Sequence, residues 1–254
     1  MSSISGSGER ILAILDLFSE ERPEWSPEEM MHALGYSRPT LYRYLKTLKD
    51  AGYLVSLPGQ GLTLGPRVTE LDFLMQRSDP LIGVGAPLLR MLAGRYPCSV
   101  FITRWYERKI LCVVSEVSNP APKSSYPRGR PMPLAKGAIS RAIVAFLPRR
   151  EQDRIVADHL EDLGGEGAKE ATVLARLRDV RREGVCTAWG EVTPGVVGVA
   201  APILAGDRTP IAALCLTSNV ADMTEPRLAA IRRDVRDSAD AISGLLQGRL
   251  QASA

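Results

Sequence analysis

Hydrophobic residues in the first fifty positions recur at the spacing of amphipathic helices. The segment ERILAILDLF (9–18) places its Ile, Leu and Phe residues at helical spacing and predicts a first helix. The tetrapeptide SPEE (26–29) predicts the start of a short second helix, because it combines a Ser cap, a Pro in the first turn and a Glu at the third helical position. Gly35 is typical of the left-handed residue that ends such a helix.

A third helix with two different faces is predicted to follow Ser37 as its cap and to run to about Asp50. Leucines at positions i, i+4 and i+7 form the stripe that would face a core, namely Leu41, Leu45 and Leu48. The other side carries polar and aromatic residues, namely Arg38, Tyr42, Arg43, Lys46 and Lys49. A short helix, a Gly-containing turn and a second helix together predict a helix-turn-helix.

Two short apolar runs follow this helix, YLVSL (53–57) and LTLGP (62–66), around a Gly-rich turn. They predict a hairpin, which would form a wing beside a recognition helix. The N-terminal residues of a recognition helix meet base edges in the major groove, and a helix N-terminus suits a phosphate. We therefore expect contacts to double-stranded DNA from one set of residues, namely Ser37, Arg38, Thr40, Tyr42, Arg43, Lys46 and, at the tip of the wing, Gln60.

The distribution of charge along the chain supports DNA binding more strongly than the net charge does. The net charge of the chain is only +3, which does not by itself indicate a nucleic-acid partner. Residues 1–70 carry a net −2, whereas residues 36–50 within them carry a net +3. A charged helix face is most often merely solvated, but the capped helix, the turn, the polar face and the hairpin occur in the order that DNA binding requires.

The rest of the chain mixes helical and strand patterns. The segment VTELDFLMQR (68–77) predicts a linker helix, so we expect domains at 1–66 and 81–250 joined by residues 67–80. Hairpins are predicted from residues 99–105 with 109–115 and from 196–204 with 210–217. Helices are predicted at 82–96, 135–146, 149–160, 170–183 and from 224 onward. Hairpins combined with helices indicate an α+β domain on an antiparallel sheet.

Composition narrows the class of protein. The hydrophobic share of 45% and the charged share of 24% are those of a globular chain. No apolar stretch reaches the length of a membrane span, and the polar N-terminus lacks a signal-peptide core. The four cysteines form no CxxC pair, which favours reduced, buried thiols and a cytoplasmic location.

Candidate chemistry for catalysis is sparse. With two histidines and no ligand spacing, the sequence predicts neither a metal site nor a cofactor. The segment GEGAK (165–169) lacks the spacing of a phosphate-binding loop, and no nucleophile is paired with a base. Binding is therefore favoured over catalysis. Two alternatives remain open, an enzyme whose N-terminal helices serve in assembly and an interaction protein that takes no ligand.

The stretch SRPTLYRYLKTLKDAGYLV (37–55) resembles the helix-turn-helix core of the IclR family of bacterial transcriptional regulators, and GLTLGPRVTEL (61–71) resembles its wing exit. The resemblance continues in GRPMPLAKGAISRAIVAFLP (129–148), REGVCTAWGEVTPGVVGVAAPI (182–203) and PIAALCLTS (210–218). Pro39 departs from the family pattern, which commonly has a small polar residue there.

The resemblance implies a winged helix-turn-helix followed by a GAF-like domain that senses a small molecule. It implies a ligand-responsive regulator, more often a repressor, of a catabolic or transport operon. Such a protein would bind a roughly palindromic operator as a dimer or a dimer of dimers.

An effector site is also implied by alignment with the family. Its residues come from the small-residue start of a helix, from a strand and from the last hairpin, namely Ala138, Ile139, Ala188, Trp189, Val196, Gly198, Cys215 and Thr217. Ala188 stands where the family has an acidic residue, so an aromatic or apolar ligand would suit this site better than a small hydrophilic acid. For Trp189 the alternative is a core aromatic.

Overall fold

The computed structural model describes residues 6–57, 61–106, 109–119 and 126–252, the last four of them by their backbone only. The chain divides into two compact units, Met1–Asp79 and Pro80–Ala254. Among the described residues no helix is both long enough and apolar enough to cross a membrane.

The first unit is a helix-turn-helix with a small wing. Its elements are α1 (Ser7–Leu15), α2 (Pro27–Leu34), α3 (Arg38–Asp50), β1 (Leu54–Ser56), β2 (Leu62–Leu64) and α4 (Pro66–Ser78). The two strands pair antiparallel with Leu54 opposite Leu64. The predicted order of elements is confirmed, although α1 ends at Leu15 instead of continuing to Phe18.

Local capping fixes both ends of α2. The Glu29 N–H donates to Ser26 Oγ (3.2 Å), and the Ser26 N–H donates back to Glu29 Oε2 (2.9 Å). Gly35 ends the helix with φ +66, in the left-handed region where a residue without Cβ is favoured. The turn that leads into α3 is thus specified by the sequence on both sides.

A single core cluster holds the first unit together. The leucine stripe of α3 is buried as predicted, and Tyr44 is buried with it at 4% exposure. Trp25 connects this core to the wing, because its N–H and C=O pair with Leu62 across 3.0 and 2.7 Å. The Trp25 indole also donates to the Leu17 carbonyl at 3.0 Å, which ties the α1–α2 loop into the same packing.

The second unit is an α+β domain built on a six-stranded antiparallel sheet in the order β5-β4-β3-β8-β7-β6. Its strands are β3 (Ser99–Tyr106), β4 (Lys109–Val117), β5 (Pro131–Met132), β6 (Cys186–Trp189), β7 (Val196–Leu204) and β8 (Pro210–Asn219). Its helices are α5 (Pro80–Arg95), α6 (Gly137–Val144), α7 (Arg149–Asp158), α8 (Leu160–Gly164), α9 (Glu170–Glu183) and α10 (Glu225–Ala252), with a short 3-10 turn at Val220–Asp222.

Both faces of this sheet are covered. Phe101 and Cys215 belong to a core shared with α6, α7, α8 and α9. Their neighbours Ile102 and Leu214 belong to a second core shared with α5 and α10. Successive side chains on a strand point to opposite faces, so each strand contributes to both cores.

The sequence pattern missed two strands and one helix break. Strand β5 has two residues and β6 has four, which is too short for a periodic signal. The helix predicted over 149–160 is broken at His159, whose backbone (φ −136, ψ 36) is not helical and separates α7 from α8. Helix α9 has the ends that its amphipathic pattern predicts, and in the structure Gly184 supplies the left-handed residue (φ +69) after it.

A glycine in the first unit permits a close backbone approach. A Cβ at Gly65 would lie 2.2 Å from the Gly52 carbonyl oxygen, whereas a Cβ at Gly8 would meet no atom within 4 Å. We expect Gly65→Ala to lower the free energy of unfolding of this unit by about 1–3 kcal/mol, because backbone must shift. The matched change Gly8→Ala, in exposed helix, should leave it unchanged or raise it by up to about 1 kcal/mol. Amide hydrogen exchange of α3 measures both effects, and equal protection in the two variants would contradict the expectation.

Candidate functional site

Helix α3 presents the predicted DNA-contacting residues on its solvent side. Ser37, Arg38, Tyr42, Arg43 and Lys46 are exposed, and Thr40 is half-buried. The buried stripe on the opposite side of the helix leaves this surface free. Gln60, the predicted contact at the wing tip, lies outside the described residues.

Short-range contacts organise the start of α3. The Ser37 hydroxyl donates to Thr40 Oγ1 at 2.9 Å and does not cap the helix backbone. The first N–H groups of a helix have no intrahelical partner and suit a phosphate oxygen. The guanidinium of Arg38 lies 5.5 Å from the centre of the Tyr42 ring, within the distance of a cation–π contact. This contact orders an arginine at the position where a recognition helix meets bases.

The second unit contains a cavity of about 50 Å³, and the empty space extends to about 430 Å³ when the solvent at its open mouth is included. It lies between the sheet and the start of α6. Seven of the eight predicted effector residues line it, namely Ala138, Ile139, Ala188, Val196, Gly198, Cys215 and Thr217.

Strand register explains why these residues meet. Ala188 on β6 pairs with Gly198 on β7, and Gly198 pairs with Thr217 on β8. Cys215 lies two positions before Thr217, so it points to the same face. A Cβ placed at Gly198 would lie 3.8–3.9 Å from Thr217, Ala138 and Cys215, so the missing side chain leaves space beneath α6.

Trp189 lies outside this cavity. It follows Ala188 on β6 and therefore points to the other side of the strand, where it lines a separate groove with arginines of α9 and α10. The alternative of a core aromatic is wrong as well, because 47% of Trp189 is exposed.

Several residues that line the cavity were not predicted from the sequence. They are Phe101, Tyr126, Met132, Lys136, Gly137, Glu191, Val192 and Thr193. Phe101 pairs with Cys215 across β3 and β8, so a correct pairing of these strands identifies it. Glu191 belongs to the β6–β7 loop, whose course no periodic pattern indicates.

Glu191 changes the chemistry expected of the cavity. It is the one carboxylate among the described lining residues. Its Oε1 lies 2.5 Å from Arg141 Nη2, and the Arg141 side chain is only 12% exposed. The cavity thus combines apolar walls with one carboxylate at its edge, and the charge of that carboxylate is paired with Arg141.

The thiols are poorly suited to nucleophilic catalysis. All four cysteines are buried and free. Burial raises the pKa of the Cys112 thiol to about 12 and raises the pKa of Cys215, which lines the cavity. A nucleophilic cysteine needs a lowered pKa, so these thiols are packing residues. Among the described residues no group of His, Cys, Asp and Glu side chains could hold a metal ion.

Comparison with known families identifies the class of protein. Residues 7–58 match the IclR helix-turn-helix domain, and residues 78–244 match the C-terminal domain of bacterial transcriptional regulator IclR. The chain therefore belongs to the IclR family of DNA-binding transcriptional regulators, which are not enzymes.

Individual relatives cover nearly the whole chain. The HTH-type transcriptional regulator XynR of Escherichia coli is 25% identical over 94% of this chain and 96% of its own length. KipR of Bacillus subtilis is 23% identical over 91% of this chain and 93% of its own. An IclR homologue from Microbacterium hydrocarbonoxydans, crystallised with 4-hydroxybenzoate, has a TM-score of 0.80 at 18% identity and covers 96% of this chain and 100% of its own. At that identity the likeness concerns the fold.

Proposed function

We propose that this protein is a ligand-responsive repressor of a catabolic or transport operon. It reads operator DNA through α3 and the wing, and it binds an aromatic or apolar effector in the cavity of the second unit. The observation that carries the proposal is the convergence of Ala138, Ala188, Gly198, Cys215 and Thr217 on one cavity. Because the operator lies on the bacterial chromosome, the proposed location of the protein is the cytoplasm.

Exposed side chains of α3 support specific roles at the operator. Arg38 and Arg43 provide guanidinium groups that can bind guanine in a bidentate manner, and Thr40 can pack on a thymine methyl. Ser37 and Lys46 suit phosphates at the edges of the groove. Gln60, which the sequence assigns to the same interface, is proposed as a further DNA contact.

The walls of the cavity support an aromatic effector. Phe101, Met132, Ile139 and Val196 supply apolar surface, and they leave few polar groups to orient a ligand. The Microbacterium relative holds 4-hydroxybenzoate, an aromatic ring with polar ends. By analogy, the ring of the effector would lie against the apolar walls, with a hydroxyl toward Glu191 or Thr217 and a carboxylate toward Lys136.

Exposed apolar residues on α4 support self-association. No residue of α4 is buried, and Phe73, Leu74 and Met75 are 57%, 54% and 52% exposed. Large apolar side chains exposed together in this way are typical of an interaction site. A second copy of α4 would cover it, giving the dimer that a palindromic operator requires, from which a dimer of dimers can form.

DNA binding is tested with the region upstream of the gene and with random DNA. Arg43→Ala should reduce the ratio of specific to random affinity about 10- to 100-fold, because a base contact is lost. Lys46→Ala should weaken binding to both DNAs equally and reduce the salt slope by about 1. Fluorescence anisotropy gives both affinities, with Arg149→Ala on α7 as the control. An unchanged ratio in Arg43→Ala would disprove the proposed base readout.

Effector binding is tested by filling the cavity. In thermal-shift experiments with 4-hydroxybenzoate, benzoate and phenol, we expect at least one probe to stabilise the protein. Gly198→Leu should abolish that stabilisation because its side chain occupies the cavity, whereas Trp189→Ala should retain it. If no probe stabilises the wild-type protein, the effector is not of this aromatic class. If Gly198→Leu responds like the wild type, the ligand binds elsewhere.

Self-association is tested on α4. Phe73→Glu should shift the dimer toward the monomer in sedimentation velocity, because a buried charge would oppose the contact. Gln76→Glu places the same charge on an exposed polar position of the same helix. It removes the hydrogen bond from Gln76 Nε2 to Asp72 Oδ2 (2.6 Å) but should leave the dimer intact. Equal dissociation in the two variants would point to net charge and not to the apolar surface.

A further inference from the structure

The loop that connects β6 to β7 forms one wall of the cavity. Glu191, Val192 and Thr193 of this loop all line the cavity. Glycines flank it on both sides, Gly190 with φ +65 and Gly195 with φ +77. These backbone conformations are accessible to glycine without strain, and small residues at the ends of a loop can absorb the rotation of a hinge.

An ion pair joins this loop to α6. Glu191 Oε1 lies 2.5 Å from Arg141 Nη2, and the two side chains are 32% and 12% exposed. The Arg141 guanidinium also lies beside Cys186, where it opposes the effect of burial, which raises the pKa of that thiol. If the loop moved away, the poorly solvated Arg141 would lose its carboxylate, which is costly for a largely buried charge.

Two further side-chain contacts hold the loop closed, and at its far end the Val220 N–H donates to the Gly195 carbonyl (2.9 Å). Val192 packs on the first residue of α6, since a Cβ placed at Gly137 would lie 2.8 Å from Val192 Cγ2. The Thr193 side chain lies near the buried Tyr126 phenol, where it opposes the rise that burial causes in the pKa of that phenol, and Tyr126 also lines the cavity. The loop is thus fastened through side chains to two different elements of the cavity wall.

The other walls belong to paired strands and to a buried helix. Gly198 and Cys215 lie in the middle of β7 and β8, which pair along their length. On α6, Ala138 and Ile139 are buried at 5% and 6% exposure. Fully paired strands and packed helices open at a much higher free energy than a surface loop.

We propose that residues 190–195 form a lid over the cavity and that the Arg141–Glu191 ion pair is its latch. Opening of the lid admits a ligand, and closure places Glu191, Val192 and Thr193 against it. The proposal rests on the cavity being the ligand site, as proposed above. It assigns to Glu191 and Arg141 the control of how fast that site exchanges its occupant.

Cys215 is a built-in reporter of lid opening. It lines the cavity, is 2% exposed, and burial raises the pKa of its thiol, so it reacts slowly while the lid is closed. Cys98 is fully buried in the core on the opposite face of the sheet and reports on loosening of the whole unit. Alkylation of each cysteine by iodoacetamide at pH 8 is followed by peptide mass spectrometry on the full-length protein.

Glu191→Gln keeps the shape of the side chain and removes its charge. We expect it to raise the alkylation rate of Cys215 roughly tenfold, the order expected when a hydrogen bond to a charged group is weakened, with Cys98 unchanged. The matched control is Glu183→Gln, which removes an ion pair to Arg232 (2.7 Å) in the same unit and should change neither rate.

Three outcomes would contradict the proposal that residues 190–195 form a lid. They are an unchanged Cys215 rate in Glu191→Gln, an equal rise at Cys98, and an equal rise at Cys215 in Glu183→Gln. Because alkylation needs no effector, these outcomes are separate from failure of the aromatic probes to bind. If a probe stabilises the protein but the alkylation rate of Cys215 is unchanged in Glu191→Gln, the proposed effector site is supported and the proposed lid is rejected.

Discussion

The burial of both faces of the six-stranded sheet is the constraint on which the second unit depends. Side chains along β8 alternate between two cores, with Cys215 facing α6 and Leu214 and Leu216 facing the helices on the other side. Gly198 omits a side chain on the α6 face only. The cavity is therefore a local gap in one of two packed layers, and its shape is held by paired strands on one side and by α6 on the other.

In the first unit, too, the buried residues determine which surface is exposed. The buried residues Leu41, Tyr44, Leu45 and Leu48 fix the rotation of α3, and this rotation decides which side chains remain for a partner. The capping box at Ser26 and the left-handed Gly35 fix the position of the preceding helix. The exposed surface of α3, which is proposed to read DNA, therefore follows from which residues of the helix the core buries.

Local signals in the sequence were sufficient for much of this architecture. Caps, leucine spacing and apolar runs predicted the helix-turn-helix, α9 and the β7–β8 hairpin, because each depends on neighbours in the chain. The direction of Trp189 depends on the register of β6 against β7, and a four-residue strand carries no signal for it. Glu191 meets Arg141 fifty residues away only after the sheet and α6 have packed, so no local pattern could place it in the cavity.

Occupancy of the cavity is proposed to change the affinity of the protein for DNA. This proposal is tested most directly by measuring operator affinity with and without a saturating probe ligand, and ligand affinity with and without operator. We expect both affinities to change by the same factor, in the range of about 5- to 150-fold, because coupling between two sites is reciprocal. Operator affinity that stays the same at full occupancy of the cavity would contradict it.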